Sequence, residues 1–115
     1  MEPGDNNKEY VDVDDALKRV GGNINLYKKL LVRFVDGNHM GEFDNAIGSG
    51  NLEEAAHLAH TVKGVSSNLS LVKITALSTE MEQIIKAGQD PVDCFNELKQ
   101  AYDLTIEKIN EIINS

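Results

Sequence analysis

Apolar residues that recur three and four positions apart are the feature that most constrains how this chain folds. They run through several stretches separated by glycine, asparagine and proline, and no segment alternates steadily between polar and apolar residues. Spacing of three and four collects side chains on one side of an α-helix, whereas a strand requires alternation. The sequence therefore predicts an all-α fold, in which connections of a few residues make consecutive helices antiparallel neighbours.

Capping residues and glycines mark where the first predicted helices begin and end. Asp12 caps a short helix that stops at Gly21–Gly22, and Asn23 caps a second, longer stretch. Two glycines in the middle of that stretch, Gly37 and Gly41, predict a bend or break, because glycine weakens a helix interior. The apolar spine of the stretch is predicted to be Leu26, Leu30, Phe34, Phe43 and Ile47.

Three further helices complete the prediction. One starts at the cap Asn51 and covers roughly 52–68, and the last starts at the cap Asp90, with Pro91 at its first position. Between them lies a helix closed by Gly88, with the seam Ile74, Leu77, Met81, Ile84 and Ile85. We expect an antiparallel up-and-down four-helix bundle with a short extra N-terminal helix. The bundle domain is expected to span residues 10–115, after a flexible tail over residues 1–9.

Composition and charge narrow the classes of function. The chain has 19 acidic against 11 basic residues and a net charge of −8, which repels nucleic acid and anionic lipid. No stretch approaches the roughly 18 apolar residues that a membrane span needs. Cys94 is the single cysteine, so no disulfide framework is expected. These features indicate a cytoplasmic protein that meets other proteins and neither binds nucleic acid nor inserts into a membrane.

The helix over residues 52–68 carries the most informative pattern. At about 100° per residue, one side of this helix is predicted to face the core and His60 to lie opposite the middle of that side. Lys63, Gly64 and Ser67 follow His60 at offsets of three, four and seven, and therefore share its face. The predicted core side consists of Ala55, Leu58, Val62, Val65 and Leu69.

The residue types on this face suggest phosphoryl chemistry. A solvent-facing glycine costs a helix about 1 kcal/mol relative to alanine, so Gly64 indicates that a partner approaches the backbone there. Lys63 supplies a positive charge for an anion carried on the neighbouring imidazole. A neutral imidazole, with an ordinary pKa of about 6.5, is a competent nucleophile. His60, Lys63 and Gly64 therefore form a candidate site for a covalent N–P bond.

The segment Ala59-His60-Thr61-Val62-Lys63-Gly64-Val65-Ser66-Ser67-Asn68 resembles the signature of the histidine-containing phosphotransfer (HPt) domain family. Upstream, the segment Ala16-Leu17-Lys18-Arg19-Val20-Gly21-Gly22 is similar to the first helix and turn of that family. The resemblance covers about residues 12–112. The sequence departs from the family pattern at Ser70, where many members have glycine, and at Leu71, where a small residue is usual.

The resemblance implies a role for each matched residue. His60 would be the phosphorylated histidine, Lys63 would hold the phosphoryl oxygens, and Gly64 would let a receiver domain approach. Ser67, on the same face, is a supporting candidate. Glu82 matches a position where many members carry Glu or Gln hydrogen-bonded to the imidazole. The implied partners are response-regulator receivers and an upstream histidine kinase, with no cofactor and no nucleotide site in this chain.

Two other interpretations compete with phosphotransfer. Glu54 and His57 have the spacing used in di-iron bundles, and Glu53 and His60 lie nearby, but a second Glu-x-x-His is missing. A docking module of the same fold could bind a receiver without relaying phosphate, although a docking surface needs no histidine at position 60. The chain also lacks a glycine-rich phosphate loop and a recognisable Ser/His/Asp arrangement, which argues against an autonomous enzyme.

Overall fold

The computed structural model describes residues 8–115, which are all-helical and contain no strand. This confirms the predicted all-α class. The helices are α1 (Val13–Arg19), α2 (Ile24–Asp36), α3 (His39–Gly48), α4 (Leu52–Asn68), α5 (Val72–Lys86) and α6 (Val92–Ile113). Residues 8–10 are also helical. Most of the predicted N-terminal tail, residues 1–7, lies outside the described residues.

Helix starts follow the predicted capping chemistry. The side chains of Asp12, Asn23 and Asn51 each accept the backbone N–H three residues ahead, at 3.1, 3.0 and 3.1 Å. The last helix begins one residue later than predicted. Pro91 takes the N-cap position, and the Asp90 carboxylate accepts the Val92 N–H at 3.0 Å. Short polar side chains thus satisfy N–H groups that the first turn of a helix leaves free.

The predicted break in the second stretch is present, but the predicted spine is wrong at its start. α2 ends at Asp36, and a left-handed Asn38 (φ 52°) separates it from α3. Leu26 is 42% exposed, whereas its neighbour Tyr27 is fully buried. The Tyr27 hydroxyl donates a hydrogen bond of 2.8 Å to the Leu69 carbonyl, which turns Tyr27 inward in place of Leu26.

The helices pack mainly on their neighbours in sequence. α5 lies between α4 and α6, α3 packs against α4, and α2 packs against both α1 and α6. On α4 the predicted core side is wrong at Val65, which is 36% exposed, while Ala59 and Ser66 are fully buried. The buried side of α4 is therefore turned toward α5. This rotation keeps His60 on the open side and brings the residues after it close to α5.

Three hydrogen bonds fix the far end of α4 and the turn that follows it. The hydroxyls of Ser66 and Thr75, on α4 and α5, share a hydrogen bond of 2.8 Å. In the following turn Ser70 is left-handed (φ 56°), the conformation that suits the glycine usual there in similar proteins. Its hydroxyl donates to the Asp15 carboxylate at 2.6 Å, and its carbonyl accepts the Asp12 N–H at 2.9 Å. Leu71, the other departure from the family pattern, is fully buried.

None of the helices within residues 8–115 combines the length and the apolar content needed to cross a bilayer.

Candidate functional site

His60 stands in the middle of α4 on its open face. It lies eight residues from either end of the helix, and its side chain is 65% exposed. The apolar periodicity that buries Leu58 and Val62 is what directs His60 outward. An imidazole in this position is accessible to another protein while its backbone is held by a packed helix.

Glu82 brings a carboxylate from α5 against this imidazole. Its Oε2 lies 3.2 Å from His60 Nδ1 and 3.0 Å from Lys86 Nζ, and its Oε1 accepts a hydrogen bond of 3.1 Å from Lys63 Nζ. The Glu82 side chain is only 9% exposed. Three nitrogen-bearing side chains therefore surround one nearly buried carboxylate.

The two lysines keep this carboxylate ionised. The ammonium of Lys86, followed by that of Lys63, lowers the pKa of Glu82 from its ordinary value of 4.5 to about 2, although burial opposes the shift. Glu82 is consequently an anion throughout the range in which proteins work. A permanent negative charge beside Nδ1 favours a proton on that nitrogen.

Two features of this cluster go beyond the sequence-based expectation. Lys63, expected to face a phosphoryl group, is 33% exposed and hydrogen-bonded to Glu82. Lys86 was missed altogether. The signal that could have found it is its position four residues after Glu82, the spacing at which a helix brings Glu and Lys together.

Gly64 and Ser67 lie on the open face as expected, and both are exposed. A Cβ built on Gly64 meets no atom within 4 Å, so packing inside the domain does not require glycine there. Within residues 8–115 the Ser67 hydroxyl makes no hydrogen bond, either to the Glu82 cluster or elsewhere. The structure therefore brings His60, Lys63 and Glu82 together and leaves Ser67 apart.

The other histidines occupy different surroundings. His57 is exposed one turn before His60. His39 is the first residue of α3, where its ring packs 5.1 Å from that of Phe34, and burial lowers its pKa. Within residues 8–115, no group of three or more His, Cys, Asp or Glu side chains is arranged to hold a metal ion.

Comparison with known protein families adds an independent observation. The family model described as "Hpt domain" matches residues 37–109, well over half of the chain. The chain belongs to the Hpt domain family. Neither curated proteins nor solved structures gave a match.

Membership of the Hpt family implies histidine phosphotransfer in phosphorelays, through interaction with receiver domains and kinases. The matched residues include all of α3, α4 and α5, and with them the complete Glu82 cluster. α1 and α2 precede the match, so the resemblance noted in the segment 16–22 lies outside it. The residues that match the family model therefore include the exposed histidine, His60.

Proposed function

We propose that His60 takes up a phosphoryl group and passes it on, and that its Nε2 is the reacting atom. The observation that carries this proposal is the contact between His60 Nδ1 and the buried, ionised carboxylate of Glu82. With the proton on Nδ1, the lone pair lies on Nε2, and the His60 side chain is exposed. Attack by Nε2 places positive charge on the imidazole, and the Glu82 carboxylate stabilises that charge.

The proposed transfer exchanges one bond to phosphorus for another, and no proton leaves the domain. Nε2 attacks the phosphorus of a receiver aspartyl phosphate, the P–N bond forms, and the P–O bond breaks so that the aspartate leaves as a carboxylate. In the reverse direction a receiver carboxylate attacks phosphorus and the P–N bond returns its electron pair to Nε2. Lys63 offsets the charge of the phosphoryl oxygens, and any magnesium ion belongs to the receiver.

The open face supplies the surface on which a receiver docks. Gly64 follows His60 by one turn and has free space above its backbone, so a partner has close access to α4 there. Ser67 extends the same face toward the α4–α5 turn. The partners we propose are a response-regulator receiver and an upstream histidine kinase, in a cytoplasmic relay.

We also infer that residues 10–115 fold as an antiparallel up-and-down four-helix bundle.

The test uses phosphorylated receivers and a matched pair of variants. The intact domain is mixed with a panel of phosphorylated receiver domains, and acid-labile phosphate on it is measured. His60→Gln should lose all uptake. His57→Gln, which changes an exposed histidine one turn earlier on α4, should keep it.

Circular dichroism and thermal melting of both variants should match the wild type, because both side chains are exposed. Acid-labile phosphate on His60→Gln would overturn the assignment. Receiver binding without uptake in the wild type would instead favour the docking interpretation.

A further inference from the structure

The two lysines on Glu82 hold it in different ways. Lys63 reaches Oε1 across the gap between α4 and α5, whereas Lys86 reaches Oε2 from one turn further along the same helix as Glu82. The i, i+4 pair needs no particular spacing of the two helices, because both residues belong to α5. The cross-helix pair joins Glu82 to the lysine beside His60.

Phosphorylation of His60 creates a conflict for Lys63. A dianionic phosphoryl group on the imidazole competes with Glu82 for the same ammonium. If Lys63 were the sole partner of Glu82, its departure would leave a nearly buried carboxylate without a cation, which is strongly unfavourable. Because Lys86 contacts the other carboxylate oxygen, Glu82 still has a cation beside it when Lys63 leaves.

We propose that Lys86 is a positioning residue that retains Glu82 beside His60 Nδ1 while Lys63 transfers its hydrogen bond to the phosphoryl group. The inference rests on the proposed function of His60. Among the described residues, the basic groups within 4 Å of the Glu82 carboxylate are His60 and Lys63 from α4 and Lys86 from α5. Without Lys86, the carboxylate keeps Lys63 for itself and the phosphoryl group loses its counter-charge.

A double-mutant cycle tests this division of roles. The rate of His60 phosphorylation is measured with phosphoramidate, whose P–N bond breaks as the new P–N bond forms and ammonia leaves. Lys63→Met, Lys86→Met and the double variant are compared with the wild type. Each single variant should slow uptake roughly tenfold, the scale of one hydrogen bond to a charged group. The double variant should take up phosphate only a little more slowly than either single one, because each change alone already costs the hydrogen bond from Lys63 to the phosphoryl group; the loss of both cations from Glu82 should appear as a lower free energy of unfolding.

Two controls separate positioning from a general effect of charge or structure. Lys86→Arg should restore most of the rate, since a guanidinium also reaches Oε2. Lys73→Met removes an exposed lysine from the first turns of the same helix and should leave the rate unchanged.

Three results would overturn the inference: a wild-type rate in Lys86→Met, effects of the two lysines that multiply in the double variant, or equal loss in Lys73→Met. Failure of the proposed function gives a different result. In that case the wild type would take up no phosphate, or His60→Gln would take up as much as the wild type.

Discussion

α4 is joined to α5 by two polar contacts of opposite character. Near the middle of α4, Glu82 on α5 gathers Lys63 and the imidazole of His60 around an ionised carboxylate. Further along α4, Ser66 and Thr75 share a neutral hydrogen bond that is partly buried. The ionic contact borders the open face, whereas the Ser66 side chain is fully buried.

The neutral contact supports the fold, whereas the ionic contact supports the proposed chemistry. A hydroxyl pair has no titratable group in the ordinary pH range, and the other acceptors of these two hydroxyls are backbone carbonyls of their own segments, so this contact between the helices does not depend on pH. An ionic cluster exchanges partners, responds to pH and is screened by salt. The chain therefore places its exchangeable contact beside His60 and its fixed contact at the end of the helix.

The largest expected effect comes from blocking the open face next to the ionic contact. Gly64→Gln should reduce phosphoryl transfer to and from receivers about 100-fold, by placing a long side chain where a partner approaches. Uptake from phosphoramidate should change little, because a small donor needs no docking surface. Stopped-flow or quenched-flow transfer assays with one receiver provide the measurement.

Gly64→Ala is the matched control for that variant. Its methyl group meets no atom within 4 Å, so the variant should fold and gain up to about 1 kcal/mol from helix propensity. Equal transfer rates in Gly64→Gln and the wild type would refute the docking role of this face.

Lowering the pH is expected to have an intermediate effect, on the free energy of unfolding. The folded-state pKa of Glu82, about 2, lies below its ordinary value of 4.5, so ionisation of this group stabilises the folded state above pH 4.5. That contribution is lost progressively as the pH falls from 4.5 toward 2. Glu82→Gln removes the titrating group and should flatten this part of the stability profile, as measured by urea unfolding at a series of pH values. A profile of unchanged steepness in this window would show that other carboxylates set the acid sensitivity.

The smallest effect is expected at the neutral contact. Ser66→Ala should lower the free energy of unfolding by about 1 kcal/mol, the net value of an ordinary hydrogen bond. The Thr75 hydroxyl retains its bond to the Leu71 carbonyl, which limits the loss. The decrease should be the same at pH 3 and pH 7, and phosphoryl transfer should stay at the wild-type rate. A strong dependence of the decrease on pH would mean that the two contacts are coupled.

Local rules predicted the parts of the fold that depend on residues close in sequence. Capping by Asp12, Asn23 and Asn51 needs only a polar side chain three residues before a free N–H, and the structure shows all three caps. The same holds for His60, because the rotation of one residue about a helix depends on its neighbours three and four positions away.

Contacts between distant residues set the features that the sequence did not reveal. Tyr27 is buried in place of Leu26 because its hydroxyl reaches the carbonyl of Leu69, 42 residues away. Val65 is exposed because α4 turns its buried side toward α5. The i, i+4 spacing predicts that Lys86 pairs with Glu82, but the place of that pair beside His60 follows from the way α5 packs against α4. Sequence periodicity thus finds the exposed histidine more readily than the residues that contact it.

The mid-helix location of His60 has an energetic consequence for the relay. Free backbone N–H groups, which bind phosphate tightly at helix N-termini, belong to the first turn of a helix. His60 lies eight residues from either end of α4, so under the proposed function the charge of a phosphoryl group on it is offset by side chains and not by helix-end N–H groups. Under the proposed function, the phosphorylated state therefore gains no stabilisation from helix-end N–H groups. We expect this to favour release of the phosphoryl group to a partner over its retention on His60.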